Sequence, residues 1–418
     1  MKAQIITIGD EILIGQTIDT NSAWMGTRLN EMGYLVDKIT TISDDREAIE
    51  THVKWALGSC NLLILTGGLG PTRDDITKVT LCELFGGKLI RNQEVEERIV
   101  SFFTKLNRPV LEVNRMQADL PSNCTMLPNL LGTAPGMLWE IDGTTVVSMP
   151  GVPYEMKKIF SDQLVPYLQS NKTSEIIVRH KNLLTVGIGE SSLAEEIKDI
   201  EDDIYNSGFR LAYLPNPGSV KLRISYNGKE NPESVEQRLN QFAKRIATRV
   251  AQYYVGEGEK AITKLIGKQL VAHQLTVGVV ESCSGGYIAH QFTKEEGCSQ
   301  YFKGGMVVYS NELKEKLIGV DAHAIKEFGA VSESVAEQLA EKGRIKLGVD
   351  YCIATTGVAG PTGGTNEKPV GLVYTSVSGP QGTRVFKNNY GGTRNRIVER
   401  ASIGLLNELL KMLQSDIA

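Results

Sequence analysis

Val280-Glu281-Ser282-Cys283-Ser284-Gly285-Gly286 decides how the last third of this chain folds. The apolar run over 275–280 reads as a buried strand, and the residues after Gly286 follow a helical pattern. The turn between them therefore gathers hydroxyls and backbone amides at the carboxyl end of a sheet, where nucleophiles and anion sites of α/β proteins collect. The glycine pair lets a ligand approach the backbone, and the serines offer attacking oxygens. Working outward, strands over 306–309, 351–355, 371–377 and 383–388 alternate with helices over 261–273 and 395–413. Residues 255–418 thus read as one α/β domain.

The same rhythm opens the chain. Strands over 5–8, 34–42, 62–65 and 145–148 alternate with helices over 21–31, 46–57 and 154–168, with Asn21 and Asp44 in capping positions. This pattern predicts a mostly parallel sheet covered by helices across residues 1–170. Polar residues 169–174 mark a linker. Residues 171–254 then change rhythm, with a strand over 176–184, a helix after Gly189-Glu190-Ser191-Ser192, a Pro/Gly hairpin at 215–218 and a helix over 232–251. They read as a small α+β unit, followed by the hinge Gly256-Glu257-Gly258-Glu259.

Composition narrows the class. The 418 residues suit two to four domains, and 41% hydrophobic with 22% charged residues is ordinary for a globular protein. A net charge of -4, from 45 basic and 49 acidic residues, offers no broad cationic surface for nucleic acid. No apolar run is long enough to span a bilayer, and the start lacks a secretory pattern, so a cytoplasmic protein with no membrane partner is expected. Cys60, Cys82, Cys124, Cys283, Cys298 and Cys352 form no Cys-x-x-Cys unit, and the five histidines are scattered. A zinc ribbon, a disulfide framework and a histidine metal site are not expected.

Downstream of the opening turn lie Gly304-Gly305-Met306-Val307-Val308-Tyr309-Ser310-Asn311-Glu312-Leu313-Lys314, Gly329-Ala330-Val331-Ser332, Thr355-Thr356-Gly357-Val358-Ala359-Gly360-Pro361 and Gly391-Gly392-Thr393-Arg394. In this order and spacing they resemble the carboxy-terminal domain of the competence-damage-inducible CinA family, a nicotinamide mononucleotide amidohydrolase without a cofactor. The resemblance implies Ser282 as nucleophile, Lys314 as its base, Tyr309 as a proton relay or positioning hydroxyl, and Thr356 and Arg394 as further contributors. The chemistry agrees with these residue types. Amide hydrolysis needs a nucleophile, a base and oxyanion donors, and with no histidine beside the turn the base must be another group. A lysine serves once its pKa, ordinarily about 10.4, is lowered by burial or by a neighbouring cation such as Arg394. The amides of Cys283, Ser284, Gly285 and Gly286, read as the start of a helix, are expected to bind the oxyanion or a phosphate, with Gly357 beside them. Simpler readings stand alongside. Ser282 or Ser284 caps a helix, Lys314 is a solvated helix residue, Tyr309 is core, and Cys283 is the intrinsically better nucleophile.

Near the start, Leu65-Thr66-Gly67-Gly68-Leu69-Gly70-Pro71-Thr72-Arg73-Asp74-Asp75-Ile76-Thr77 sits at a strand-to-helix junction and is not a Walker motif. With Gly9-Asp10-Glu11, Gly132-Thr133-Ala134-Pro135-Gly136 and Met149-Pro150-Gly151-Val152-Pro153 it resembles the three-layer, molybdopterin-binding-like domain that opens full-length CinA proteins. That resemblance implies an ADP-ribose pyrophosphatase giving AMP and ribose 5-phosphate. Gly67, Gly68, Gly70 and Thr72 are then expected to bind substrate. Asp74 and Asp75, with Asp10 and Glu11 behind them, are expected to bind a divalent cobalt, magnesium or manganese ion. Acids after a glycine turn also cap helices, and a binding-only domain is the competing reading. The middle unit resembles the small KH-like domain of this family and reads as a spacer or dimer contact.

The expectation is a homodimeric, bifunctional pyridine nucleotide salvage hydrolase. The alternative is a nucleotide-binding regulatory or scaffolding protein linked to competence or DNA repair, with one or both sites inactive. A serine amidase acting on another small amide is a further rival.

Overall fold

The computed structural model describes residues 1–72, 74–171, 177–258 and 262–417. Arg73, the end of the expected linker, the Ile176 start of the next strand, and the hinge and helix start at Glu259 and Ala261 lie outside the described residues. The chain divides into two compact units: Met1–Arg179 with Asn227–Pro232, and His180–Tyr226 with Glu233–Ala418.

In the first unit the strands are β1 (Lys2–Ile8), β2 (Leu35–Ile42), β3 (Leu62–Thr66), β4 (Leu89–Arg91), β5 (Asp119–Pro121), β6 (Thr125–Leu127), β7 (Gly136–Ile141) and β8 (Thr144–Met149). The main sheet has the order β2-β1-β3-β8-β7-β6. Its first four strands are parallel, while β7 and β6 add antiparallel. Strand periodicity sorts the core onto two faces. Ile6, Ile8, Leu63 and Leu65 pack with helices Arg46–Ala56 and Gln93–Lys105, whereas Ala3, Ile5, Leu62 and Ile64 pack with Thr20–Glu31 and Pro153–Ile159. A sheet buried on both faces between helices is the three-layer arrangement. The sequence reading missed β4 to β7, which are short or carry their apolar residues without clear alternation.

The second unit holds most of β9 (Ile177–Val186) and of β11 (Ser219–Gly228), with β10 (Arg210–Asn216) and β12 (Tyr254–Glu257), in a sheet of order β10-β11-β9-β12. It continues with β13 (Val277–Glu281), β14 (Phe302–Val307), β15 (Tyr351–Gly357), β16 (Leu372–Gly379) and β17 (Gly382–Asn389) in the order β14-β13-β15-β16-β17. Here β14, β13 and β15 are parallel and the last two strands antiparallel. Val277, Val279 and Ile353 face helices Ile262–Ala272 and Arg394–Ile417, and Val280, Cys352 and Ala354 face Glu333–Leu347. Leu184, Val186 and Val255 of the small sheet join the same core cluster as Ile266 and Leu405.

Strand β14 begins four residues earlier than its expected start at Met306. Gly304-Gly305 hides its pattern: a Cβ at Gly305 would lie 2.3 Å from Val279 Cγ2, so the glycine is what lets β13 approach.

Candidate functional sites

Both α/β sheets reverse their strand order beside the strand that starts them, and ligand crevices open at such switch points. In the first unit the relevant ends are those of β1 and β3; in the second, those of β13 and β15.

At the end of β13 the residues 282–286 form a turn, and the helix Tyr287–Thr293 starts only after Gly286, which sits at φ 99. This corrects the expectation that these amides open a helix and are all open to an anion. The Glu281 carboxylate takes up the helix start: Oε2 accepts from Gly286 N at 3.0 Å and Ile288 N at 3.1 Å, and Oε1 from Ala289 N at 2.8 Å. Gly285 N donates to Ser282 O at 3.1 Å. The amides of Cys283 and Ser284 are the remaining donors of the turn. Glu281 was missed in the sequence, although an acid closing an apolar strand was a signal for it.

Thr355, opposite Glu281 on the neighbouring strand, reaches the turn from the other side. Its Oγ1 is 2.7 Å from Ser284 Oγ and accepts from Ser282 N at 3.4 Å. Thr356 does not join it. Successive strand residues point to opposite faces, and the Thr356 hydroxyl donates to Ala330 O at 2.7 Å, holding the Gly329–Ser332 loop rather than facing the turn.

Lys314 follows β14 through the short helix Asn311–Leu313, which Ser310 caps by accepting from Leu313 N at 3.2 Å. The lysine opens a π-helical segment, Lys314–Ile318, and is 1% exposed. Its Nζ donates to Val308 O at 3.0 Å and Tyr309 O at 3.2 Å. Val308 N in turn donates to Glu281 O at 2.8 Å, so the amine lies at the same sheet edge as the serine turn. Burial pushes the Lys314 ammonium below the ordinary lysine range, opposed by the neighbouring Cys283. Arg394 has no part in that shift. Its guanidinium donates to Gly360 O at 2.9 Å and to Tyr309 Oη at 2.9 Å. Tyr309 is 58% exposed and lies past the end of β14, not in the core.

Cys283 packs with Ala359, Val373, Ile397 and Ala401. Burial pushes its thiol up to about 11. A thiol so placed carries almost no thiolate at neutral pH, which weakens the rival nucleophile. Ser282 is 7% exposed.

In the first unit a cavity of about 450 Å³ lies over the ends of β1 and β3, lined among others by Gly9, Glu11, Asp44, Gly68 and Asp74. Asp75 does not face it as a free ligand. Its Oδ1 accepts from Gly70 N at 2.8 Å and its Oδ2 from Thr72 N at 2.9 Å and from the Thr72 hydroxyl. The expected metal carboxylate and two of the expected substrate donors are therefore occupied with one another, a clasp that shapes the glycine loop. Gly67 N likewise donates to Met149 O at 3.1 Å.

The capping residues also differ. Asp19 caps the first long helix by accepting from Ser22 N at 2.9 Å, and Asp45 caps the next by accepting from Ala48 N at 3.0 Å. Asn21 is released to donate to Gly151 O at 2.7 Å, and Asp44 turns to the cavity, where it accepts from Asp10 N at 3.1 Å. Burial raises the Asp44 carboxyl above the ordinary range, assisted by the like charges of Asp10, Glu11 and Asp74. Oxygen donors that repel one another suit a hard divalent cation. Among the described residues, however, no three His, Cys, Asp or Glu side chains are arranged to hold a metal ion. Protein carboxylates here fit a cation only as partial ligands, with phosphate or water oxygens completing the shell.

The glycine loop is rigidly required. A Cβ on Gly67, at φ 115, would lie 2.1 Å from Ile8 O. Gly67→Ala is expected to destabilise the chain by roughly 2–4 kcal/mol, through backbone strain and loss of the β1–β3 approach. A urea titration of the full chain measures this, and an unchanged midpoint contradicts it.

Three family models match the chain: a probable molybdopterin binding domain over residues 4–170, the damage-inducible protein CinA KH domain over 180–256, and the CinA C-terminal domain over 259–413. A CinA-like protein of Flavobacterium psychrophilum is 39% identical over 419 residues, covering 100% of this chain and 99% of its own length. The chain belongs to the CinA family. A putative competence-damage inducible protein of Caldicellulosiruptor saccharolyticus is 40% identical, covering 99% of both chains. Among solved structures, the protein CinA of Thermoplasma acidophilum is 33% identical, covering 40% of this chain and 96% of its own, with a TM-score of 0.37. This CinA-family chain thus carries the amino-terminal, KH and carboxy-terminal domains in one polypeptide. Among its described residues no helix is long and apolar enough to cross a membrane.

Proposed function

We propose that the carboxy-terminal domain deamidates nicotinamide mononucleotide to nicotinate mononucleotide and ammonia. The observation that carries this reading is the enclosure of Lys314. Its amine donates to two backbone carbonyls and has no carboxylate partner among the described residues, which suits an uncharged amine: two N–H groups are held and one lone pair is left. That lone pair takes the Ser282 hydroxyl proton as the oxygen attacks the carboxamide carbon. The Cys283 and Ser284 amides receive the oxyanion, and the protonated amine returns its proton to the departing ammonia. Water then cleaves the acyl-serine by the same route in reverse. Arg394, already linked to Tyr309, offers remaining donors to the phosphate of the mononucleotide. Ammonia release from nicotinamide mononucleotide, beside a panel of other small amides, tests the reading. Turnover of a different amide alone replaces the substrate, and no turnover of any favours the binding-only alternative.

For the amino-terminal domain we propose hydrolysis of ADP-ribose to AMP and ribose 5-phosphate. Asp44 and Asp74, which line the cavity, would be partial ligands of a divalent cobalt, magnesium or manganese ion whose shell diphosphate and water oxygens complete, and Asp75 would keep the glycine loop closed. When bound, the cation neutralises diphosphate oxygens and activates water. Chelation with EDTA is expected to abolish AMP formation, followed by chromatography, while leaving ammonia release from the mononucleotide unchanged. AMP formation that survives chelation contradicts the metal assignment. The domains would act in the cytoplasm on two products of NAD breakdown, in a homodimer whose assembly light scattering can test.

A further inference from the structure

A cavity that neither proposed reaction uses lies inside the second unit, where the small sheet meets the terminal helix. It encloses about 760 Å³, a volume suited to one small ligand. Along β17 and just past its end, Phe386, Asn388 and Tyr390 alternate, and period two turns all three toward the cavity they line. On helix Arg394–Ile417, helical spacing brings Arg400, Asn407 and Lys411 to the facing side, with Gly404 between them. The missing side chain makes room for a ring: a Cβ at Gly404 would lie 3.1 Å from Tyr390 Oη. The turn Gly187–Glu190, Tyr253 and the hairpin between β10 and β11 close the third side. The hairpin is seated on the helix, since a Cβ at Gly218 would lie 2.4 Å from Ile403 Cγ2 and 3.4 Å from Arg400 Cα. Gly187 N ties the turn to it by donating to Gly218 O at 3.3 Å.

Domain packing alone does not call for such a lining. The neighbouring face of the same helix supplies Leu405, Leu409 and Leu413 to the core, whereas this face is polar. Asn407 is only 7% exposed, and among the described residues its carboxamide makes no hydrogen bond. Buried amides are ordinarily paired, so this one is provided for by something that enters the cavity. Arg400 donates to Gly391 O at 2.8 Å and has no carboxylate partner among the described residues, which leaves further guanidinium N–H groups to offer. Lys411 is already paired with Glu408 at 2.9 Å.

We propose that this cavity binds a nucleoside monophosphate, through residues that neither proposed reaction employs. The rings of Tyr253, Phe386 and Tyr390 offer faces to the base, the Asn388 and Asn407 carboxamides match the paired donor and acceptor of a base edge, and Arg400 takes the phosphate. One unpaired guanidinium fits one phosphate. A longer phosphate chain would meet the Glu190 and Glu408 carboxylates that share the lining.

Equilibrium dialysis of the full chain with AMP, GMP and UMP, beside their nucleosides and inorganic phosphate, tests this. At least one mononucleotide is expected to bind with a Kd below about 1 mM and at least about tenfold more tightly than inorganic phosphate. Asn407→Leu breaks no internal hydrogen bond, so it is expected to keep the parental melting temperature while weakening that mononucleotide and its nucleoside by about tenfold each. Arg400→Gln can still donate to Gly391 O and is expected to weaken the mononucleotide by about tenfold, with the nucleoside changed by less than about threefold. AMP is also a product proposed for the amino-terminal domain, and the variants decide where it sits: binding that both leave unchanged belongs elsewhere and overturns the proposal. Absence of binding by all three mononucleotides overturns it too, as does inorganic phosphate binding equally tightly. If Asn407→Leu does not fold, Asn388→Leu on the facing strand is read by the same criteria. No turnover is measured, so the result stands apart from whether the chain hydrolyses either proposed substrate.

Discussion

Ser282→Ala is expected to lower ammonia release from nicotinamide mononucleotide by about 10³-fold or more, with Cys283→Ala staying within about tenfold of the parent. The two residues are neighbours, yet their surroundings separate them. The thiol faces Val373 and Ile397 and is held in its protonated form by burial, so removing it deletes one small packing group. The serine belongs to the turn at the same sheet edge as the buried amine, and the other hydroxyl of that turn, on Ser284, is engaged with Thr355 Oγ1 at 2.7 Å. Initial rates and the single-turnover burst check both variants. The reverse ranking, with Cys283→Ala inactive and Ser282→Ala active, transfers the nucleophile to sulfur and removes the main argument for a serine amidase.

The second large effect is on pH dependence. As the proposed base, Lys314 would act only when uncharged, so kcat/KM is expected to rise with pH through its pKa in the folded protein and to level off above it, at a pH below the ordinary lysine value. Lys314→Arg is expected to lose about 10²-fold or more, because a guanidinium cannot give up its proton. Stability carries the same signature. The folded pKa is depressed relative to the unfolded chain, so between those two values the unfolded state binds more protons and folding stability increases as pH rises; below the folded pKa the penalty is constant. Lys314→Met is expected to flatten this slope in urea titrations run from neutral pH upward. A parental slope in that variant, or a rate that falls as pH rises through neutrality, contradicts an uncharged lysine base.

Much of the architecture was legible because the strands alternate. Ile6 and Ile8 on one face of the sheet, and Ala3 and Ile5 on the other, follow from period two alone. The position of Ser282 just past the end of β13 was readable for the same reason, whereas Lys314 lies beyond the helix Asn311–Leu313, in a π-helical segment that no strand pattern announces. Register was not: whether Thr355 or Thr356 meets the serine turn turns on a one-residue difference that flips the side chain to the opposite face. Asp75 and Asp44 each sit differently from their expected places for a related reason. A carboxylate after a glycine loop has the same sequence context whether it clasps its own loop or faces a cavity, and only the closure of the loop onto Gly70 and Thr72 decides. The link between Arg394 and Tyr309 joins residues 85 positions apart and has no local signal.

An uncharged primary amine is also a trap for electrophiles. Bulk aldehydes, reducing sugars and carbon dioxide add to such nitrogens readily when they can reach them, whereas an ordinary surface lysine is guarded by its proton. On the proposed mechanism Lys314 lacks that guard and is shielded by steric enclosure instead, with backbone oxygens directing its hydrogens. Glycation and carbamylation should therefore spare this residue for as long as the native crevice stays shut, and its modification would report the crevice opening.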